Sequence, residues 1–197
     1  MEQFTDTINN IGREKILSAK RKLRQLLEEK AYPELRDAIF VTGGCIGSLI
    51  RGEEPNDIDV FFHSEVVAET YKRIIMASKM DEVKDMSAYG VDVDDDPEKC
   101  ITKNAITMLN GIQYITAFTG TPNEVRSAFD FVHCTPYYDP SKDSLFISPI
   151  AYHACLNKIL IVNNQKSAEK TRRSGPAQKS YRYYKLTVEQ GFKEQTV

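Results

Sequence analysis

Two aspartates, Asp57 and Asp59, alternate with the apolar residues Ile58 and Val60 in the run DIDVFF. Successive side chains of a β-strand point to opposite faces, so both carboxylates are predicted to lie on one face of a strand. Two neighbouring carboxylates repel each other unless a positive group lies between them. A divalent cation held by oxygen ligands is the usual partner, so the pair indicates a metal site.

A pair of glycines, Gly43-Gly44, precedes Asp57 by twelve intervening residues. The pattern predicts an apolar strand, Ala38–Thr42, then the glycines, a short helix and the aspartate strand. Glycine lets backbone N–H groups approach a phosphate closely, and a helix N-terminus favours negative charge. A phosphate cradle beside paired carboxylates indicates metal-assisted nucleotide chemistry.

The composition is that of a globular protein, with 41% hydrophobic and 27% charged residues in a chain of 197. A net charge of −2 argues against wholesale coating of nucleic acid but leaves room for a local basic face. No apolar run reaches the roughly 18–20 residues that a membrane span needs. Four scattered cysteines and an N-terminus unlike a signal peptide predict a reduced, cytoplasmic protein without membrane attachment.

The elements that must position these residues are predicted from periodicity and turn chemistry. Asn110-Gly111 predicts a hairpin between Ile101–Leu109 and Ile112–Phe118. Phe129–Cys134 is predicted as a third core strand that carries a lone Asp130. The predicted helices span 13–30, from Ser64 to about Ala77, from Thr121 to about Ala128, Ile150–Val162 and Tyr181–Gly191, with a polar linker over 163–180.

Residues 41–62 resemble the signature of the DNA polymerase β nucleotidyltransferase superfamily, in which two glycines and a short helix lead to Asp-x-Asp on a strand. The stretch from Gly43 to Asp59 is similar in spacing to the head of CCA-adding enzymes and bacterial poly(A) polymerases, which usually have Arg-Asp where this chain has Gly47-Ser48. The layout also resembles small phage-encoded nucleotidyltransferases. The chain is too short for the domains with which CCA-adding enzymes measure a tRNA, so a complete enzyme of that type is not expected.

The resemblance implies an α/β (α+β) fold, a minimal nucleotidyltransferase core with a mixed sheet packed by helices. The polar stretch that begins at residue 163 predicts a core domain at 1–162 and a basic linker with a C-terminal helical extension at 163–197. The resemblance also implies two Mg²⁺ ions, held by Asp57, Asp59 and Asp130, that promote attack of a hydroxyl on the α-phosphate of an NTP such as ATP. The residues expected to contact the nucleotide are Gly43, Gly44, Ser48, Lys158, Arg172, Arg173, Arg182 and Lys185.

Residues 158–185 hold eight basic residues against one acidic residue, Glu169, with tyrosines interleaved. Such a segment suits an RNA backbone and base stacking, and a solvated tail with tyrosines packed on the core is the structural alternative. Ser48 and the basic side chains likewise have purely structural alternatives. The hypotheses are transfer of NMP to RNA, most plausibly a tRNA 3′ end, transfer to a protein or small molecule, a non-catalytic nucleotide-, RNA- or partner-binding protein, and a coincidental motif in another α/β domain.

Overall fold

The computed structural model describes residues 10–31, 33–78, 105–172 and 181–195, and there six strands form one mixed sheet against which helices pack. The helices are α1 (Asn10–Lys30), α2 (Gly44–Arg51), α3 (Glu65–Ser78), α4 (Pro122–Ser127), α5 (Pro149–Asn157), α6 (Gln165–Arg172) and α7 (Tyr181–Tyr184). The strands are β1 (Ile39–Thr42), β2 (Ile58–Phe62), β3 (Ala105–Thr107), β4 (Ile112–Ile115), β5 (Tyr137–Asp139), β6 (Ser144–Phe146), β7 (Ile159–Leu160) and β8 (Lys193–Glu194). Short 3₁₀ turns occupy Pro33–Leu35 and Val132–Cys134, and a π-helical turn, Lys185–Glu189, continues α7. No helix in these described ranges is long and apolar enough to cross a membrane.

The sheet has the strand order β3-β4-β2-β1-β5-β6. β2 runs parallel to β4, and the other neighbouring strands are antiparallel. β1 and β2 lie at the centre, with Val41 opposite Val60. This architecture confirms the mixed sheet packed by helices that the sequence predicts.

The two faces of the central strands carry different residues. Val41 and Val60 point into the main core, which the buried faces of α1 and α2 cover. Phe40 and Phe61 point to the opposite face, where they pack with Val125 of α4. Since side chains alternate along β2, Asp59 shares the Phe61 face and lies away from the main core.

Local turn chemistry is confirmed at two predicted positions. The hairpin pairs β3 with β4 across Asn110-Gly111, and Gly111 has a φ of 87° that suits glycine. Thr121 and Glu124 form the predicted capping box, each side chain bonding the other residue's backbone N–H. The acidic stretch 79–98, whose weak patterning predicts a surface loop, and residues 101–104 of the predicted hairpin lie outside the described residues.

The predicted third strand, Phe129–Cys134, is wrong. Only Phe131 makes a β-bridge, with Val162, and Val132–Cys134 forms a 3₁₀ turn. The Asp130 carbonyl accepts bonds from the backbone N–H groups of residues 163 and 164, at 2.8 and 3.3 Å, so these bonds lead to a loop and not to the sheet. Sheet strands β5 and β6 follow instead, and the prediction did not include them.

Two further predictions near the C-terminus need correction. The helix predicted over Ile150–Val162 ends at Asn157, because Lys158 adopts the left-handed conformation and the next residues pair as β7 with β8. The predicted linker contains α6, whose Ala168 is buried. The predicted final helix is present as α7 and its π-helical continuation.

A second hydrophobic cluster fixes these C-terminal elements. It contains Phe131, Leu160, Ala168, Leu186 and Phe192. The cluster joins residues on both sides of the predicted boundary at residue 162. The C-terminal segment is therefore packed onto the turn that carries Asp130, and the division into two domains stays a prediction.

Candidate active site

The turn between β1 and α2 requires its first glycine for two reasons. Gly43 has a φ of 108°, in the region that side-chain-bearing residues rarely adopt. A Cβ at this position would lie 2.8 Å from Oδ2 of Asp59. The Gly43 N–H donates to the carbonyl of Cys134 at 3.1 Å, which fixes the turn against the 3₁₀ segment.

Gly44 has a different role, because it is exposed and a Cβ built there would meet nothing within 4 Å. It is the first residue of α2, whose first-turn N–H groups have no acceptor within the helix. The helix dipole adds a partial positive charge at this end. The open space and the free donors fit an anionic group.

Asp59 lies beside this turn, and Asp57 precedes Asp59 by two residues. Asp57 is exposed directly before β2, and Asp59 is half-buried within it. Burial, and then the negative charge of Asp57, raise the pKa of Asp59 to about 7. Positive charges at Arg182 and Lys185 act in the opposite direction. The two carboxylates thus repel each other, and a divalent cation bound between them would offset that repulsion.

The sheet neighbour of Asp59 on β4 is an amide. Parallel pairing places Gln113 beside Asp59, and its Nε2 donates to Oγ1 of Thr107 at 3.0 Å. Over the part of the chain that the structure describes, no group of three or more His, Cys, Asp or Glu residues is arranged to hold a metal ion.

Asp130, predicted as the third carboxylate, is already bound by protein groups. It is 6% exposed and accepts two bonds from Arg182, Nε to Oδ2 at 2.8 Å and Nη2 to Oδ1 at 3.1 Å. Oγ1 of Thr171 and the N–H of Phe131 each donate at 2.9 Å. Burial alone would raise the pKa of Asp130, but these hydrogen bonds and the charge of Arg182 hold it below its usual range. A metal-ligand role for Asp130 stays a prediction.

The predicted basic residues separate into distinct environments. Arg182 and Lys185 lie on α7 and its continuation and act electrostatically on Asp59. Lys158 is paired with Glu53 at 3.1 Å, and Arg172 with Glu194 at 2.8 Å. Arg173 lies outside the described residues.

Ser48 lies one turn into α2, where its Oγ accepts from Nη2 of Arg51 at 3.3 Å. The structure therefore gives the Ser48 hydroxyl a partner within its own helix. A contact from Ser48 to a phosphate stays a prediction.

Cys134 is a component of the site that the sequence interpretation missed. Its carbonyl accepts from Gly43 and from Oγ1 of Thr42, the latter at 3.0 Å. Its thiol lies 3.5 Å from Nη2 of Arg182, and burial raises the thiol pKa to about 12, so it stays protonated. Cys134 thus contacts both Gly43 and Arg182, and no local sequence pattern predicts contacts between residues so far apart in the chain.

Comparison with solved structures finds CCA-adding enzymes. An apo form of one such enzyme matches 100% of this chain and 42% of its own, with a TM-score of 0.50 and 16% identity. The enzyme of Bacillus stearothermophilus with CTP has a TM-score of 0.48 and 13% identity, covering 92% of this chain and 41% of that one. The enzyme of Thermotoga maritima with tRNA has a TM-score of 0.49 and 16% identity, covering 88% and 42%. At 16% identity the likeness to the apo form shows the fold alone, and this chain spans less than half the length of each of the three enzymes.

No curated protein sequence matches the chain significantly. A family model does, over residues 4–158, which include the Gly43-Gly44 turn, Asp57, Asp59 and Asp130. Arg182 and Lys185 lie beyond the matched range. Since the match covers most of the chain, the protein belongs to the Gabija anti-defense 2 family.

Proposed function

We propose that this protein is a metal-dependent nucleotidyltransferase that transfers an NMP from an NTP to a hydroxyl acceptor. An acceptor oxygen would form a bond to the α-phosphorus while the bond to the β-phosphate oxygen breaks and pyrophosphate leaves. The observation that supports this most strongly is the Asp57 and Asp59 pair beside the Gly43-Gly44 turn, with the pKa of Asp59 raised to about 7.

The donor set fits magnesium by its chemistry. Asp57, directly before β2, and Asp59, within it, are hard oxygen donors two residues apart, and a divalent cation would offset their mutual repulsion. Mg²⁺ held there would supply Lewis-acid stabilisation of charge at the α-phosphate. The protein itself holds the two carboxylates side by side, and glycine at position 43 leaves room for the Asp59 carboxylate.

The nucleotide phosphates would lie between α2 and α7. Gly44 offers an exposed helix N-terminus on one side, and Arg182 and Lys185 offer positive charge on the other. Lys158, Arg172 and Arg173 are the other proposed phosphate contacts. Of these, Lys158 is paired with Glu53 and Arg172 with Glu194.

RNA, in particular a tRNA 3′ end, is the proposed acceptor. The support is the basic C-terminal segment, in which Lys166 and Lys170 are exposed one turn apart on α6 and Tyr184 is exposed on α7. We propose that the reaction counters the Gabija defence named in the family description, and that it takes place in the host cytoplasm if the protein is phage-encoded. A protein or small-molecule acceptor is an outcome of the test below.

The test is incorporation of each α-labelled NTP, with Mg²⁺, into total cellular RNA and protein. We expect label in RNA that disappears in the Asp57→Asn and Asp59→Asn double variant. Asp37→Asn is the matched control, because Asp37 is an exposed carboxylate outside the site. Label that persists in the double variant would contradict the site assignment, and label in protein would move the acceptor to that class.

A second candidate function is non-catalytic sequestration of a nucleotide or RNA on the same fold. It is favoured by the amide of Gln113 beside Asp59 and by the engagement of Asp130 with Arg182. Binding of NTP without release of pyrophosphate or incorporation of label would support this alternative.

A further inference from the structure

The contact between Asp130 and Arg182 is built to fix the guanidinium. Two parallel N–H···O bonds restrict its plane, and this fork geometry is the most directional that arginine makes with a carboxylate. Asp130 is itself held by Thr171 and by the Phe131 N–H, so the carboxylate cannot rotate without losing bonds. Arg182 therefore rests on a rigid, buried support.

The fixed guanidinium lies at the wall of the glycine turn. Nη2 of Arg182 is 3.5 Å from the Cys134 thiol, and the carbonyl of that same residue accepts the Gly43 N–H at 3.1 Å. Asp59, whose Oδ2 would be 2.8 Å from a Cβ at Gly43, interacts electrostatically with Arg182. One guanidinium thus borders both the glycine turn and the paired carboxylates.

Part of the guanidinium remains available to a ligand. The side chain of Arg182 is 53% exposed although its Nε and Nη2 are bound to a buried carboxylate. Within the described ranges no acceptor bonds its Nη1. Lys185 follows three residues later on the same helical face and also acts on Asp59. Arg182 and Lys185 together carry two positive charges, and neutralisation of Asp130 requires only one.

We propose that Arg182 and Lys185 bind the β- and γ-phosphates of the nucleotide, and that Asp130 is a positioning residue that holds Arg182 in place for them. This inference rests on the proposed function for the identity of the ligand. It assigns Asp130 a role different from that of a metal ligand, and it assigns the pyrophosphate side of the site to residues beyond the family match.

Three possible roles of Asp130 predict different effects of Asp130→Asn on the binding of a polyanion and of a divalent cation. If Asp130 only neutralises Arg182, Asp130→Asn will tighten the binding of a polyanion, because a nearby negative charge is removed. If Asp130 binds metal, the same variant will weaken the binding of a divalent cation. If Asp130 positions Arg182, polyanion binding will weaken and metal binding will not change.

The experiment measures binding of inorganic tripolyphosphate to the full chain by calorimetry, without metal. We expect Arg182→Gln to weaken binding on the order of tenfold, the scale of one charge-assisted hydrogen bond. Asp130→Asn should cause most of that loss, and the double variant should bind no worse than Arg182→Gln alone. Lys193→Gln, which removes an exposed charge on β8, is the matched control and should bind as the unaltered protein does.

A second variant protects the test against misfolding of Asp130→Asn. Thr171→Val removes one bond to Oδ2 of Asp130 and leaves both charges in place, so a loss of a few-fold is expected. Melting temperatures of all variants are recorded alongside. Independent, additive losses for Asp130→Asn and Arg182→Gln would overturn the positioning role, as would tighter binding in Asp130→Asn or unaltered binding in Thr171→Val.

A metal titration completes the design, with Mn²⁺ binding followed by electron paramagnetic resonance in the absence of nucleotide. Asp59→Asn should weaken Mn²⁺ binding while Asp130→Asn leaves it unchanged, and equal losses would overturn the inference. Failure of the two proposals is distinguishable. Incorporated label without any tripolyphosphate binding would refute the phosphate contacts alone, whereas tripolyphosphate binding without turnover would refute the transferase alone.

Discussion

Replacing Gly43 with alanine is expected to destabilise the fold while the neighbouring replacement, Gly44→Ala, is not. A side chain at Gly43 must adopt a φ of 108°, which costs roughly 1–2 kcal/mol. Its Cβ would also lie 2.8 Å from Oδ2 of Asp59 and force that carboxylate off its rotamer, at about 1 kcal/mol. The two terms sum to about 2–3 kcal/mol, a fall in melting temperature of roughly 4–12 °C for a chain of this size.

The matched variant isolates the ligand effect from the folding effect. A Cβ at Gly44 meets nothing within 4 Å, so Gly44→Ala should change stability by less than about 0.5 kcal/mol. The added methyl group would stand where phosphates are proposed to approach, so affinity for an NTP should fall. Loss of stability in Gly44→Ala equal to that in Gly43→Ala would contradict this division of roles.

Thermal and urea unfolding of a double-mutant cycle tests the magnitude. In an Asp59→Ala background the close contact is removed, and Gly43→Ala should then cost only the roughly 1–2 kcal/mol of the backbone conformation. A coupling of about 1 kcal/mol between positions 43 and 59 is the expected result. Gly43→Ala melting at the temperature of the unaltered protein would refute both the turn geometry and the close approach of Asp59.

Three further predictions concern pH and metal. Because the folded state raises the pKa of Asp59 to about 7, ionisation of Asp59 destabilises the fold as the pH rises from about 4 to 7. In thermal melts at pH 4, 5.5 and 7.5, Asp59→Asn should therefore gain stability relative to the unaltered protein as the pH rises. Burial lowers the pKa of His133 to about 3, so the folded protein holds this imidazole neutral, and its stability falls as the pH drops below 6.5. His133→Phe should reduce this fall in stability towards acid pH, and an unchanged fall would contradict the prediction. Addition of Mg²⁺ at pH 8 should raise the melting temperature of the unaltered protein and not that of the Asp57→Asn and Asp59→Asn double variant.

Local patterns predicted the parts of the site that short-range chemistry determines. The alternation of DIDVFF predicted the strand that carries Asp59, although β2 begins at Ile58, one residue after Asp57. Gly43-Gly44 was placed at the strand–helix turn because positive φ values favour glycine. The hairpin at Asn110-Gly111 and the cap at Thr121 follow from the same kind of local rule.

The parts that were missed depend on contacts between distant residues. The apolar run at Phe129–Cys134 is typical of a strand, but its backbone bonds go to the loop after Val162 and it turns as a 3₁₀ helix. Nothing near Asp130 in the sequence reveals its partner, since Arg182 is 52 residues away. The segment 163–180 was predicted as a linker from its polarity, and α6 within it has a single buried residue, Ala168, which gives almost no apolar periodicity.

The late position of Arg182 has a consequence for synthesis. A ribosome-bound chain that has emerged only to the end of α5 already contains all six strands of the main sheet and the Gly43 turn. It lacks both Thr171 and Arg182, so Asp130 is an unpaired acid in a position that the finished protein buries. The nascent chain is thus expected to leave this corner open until Arg182 emerges, and β8, which pairs with β7, closes it afterwards.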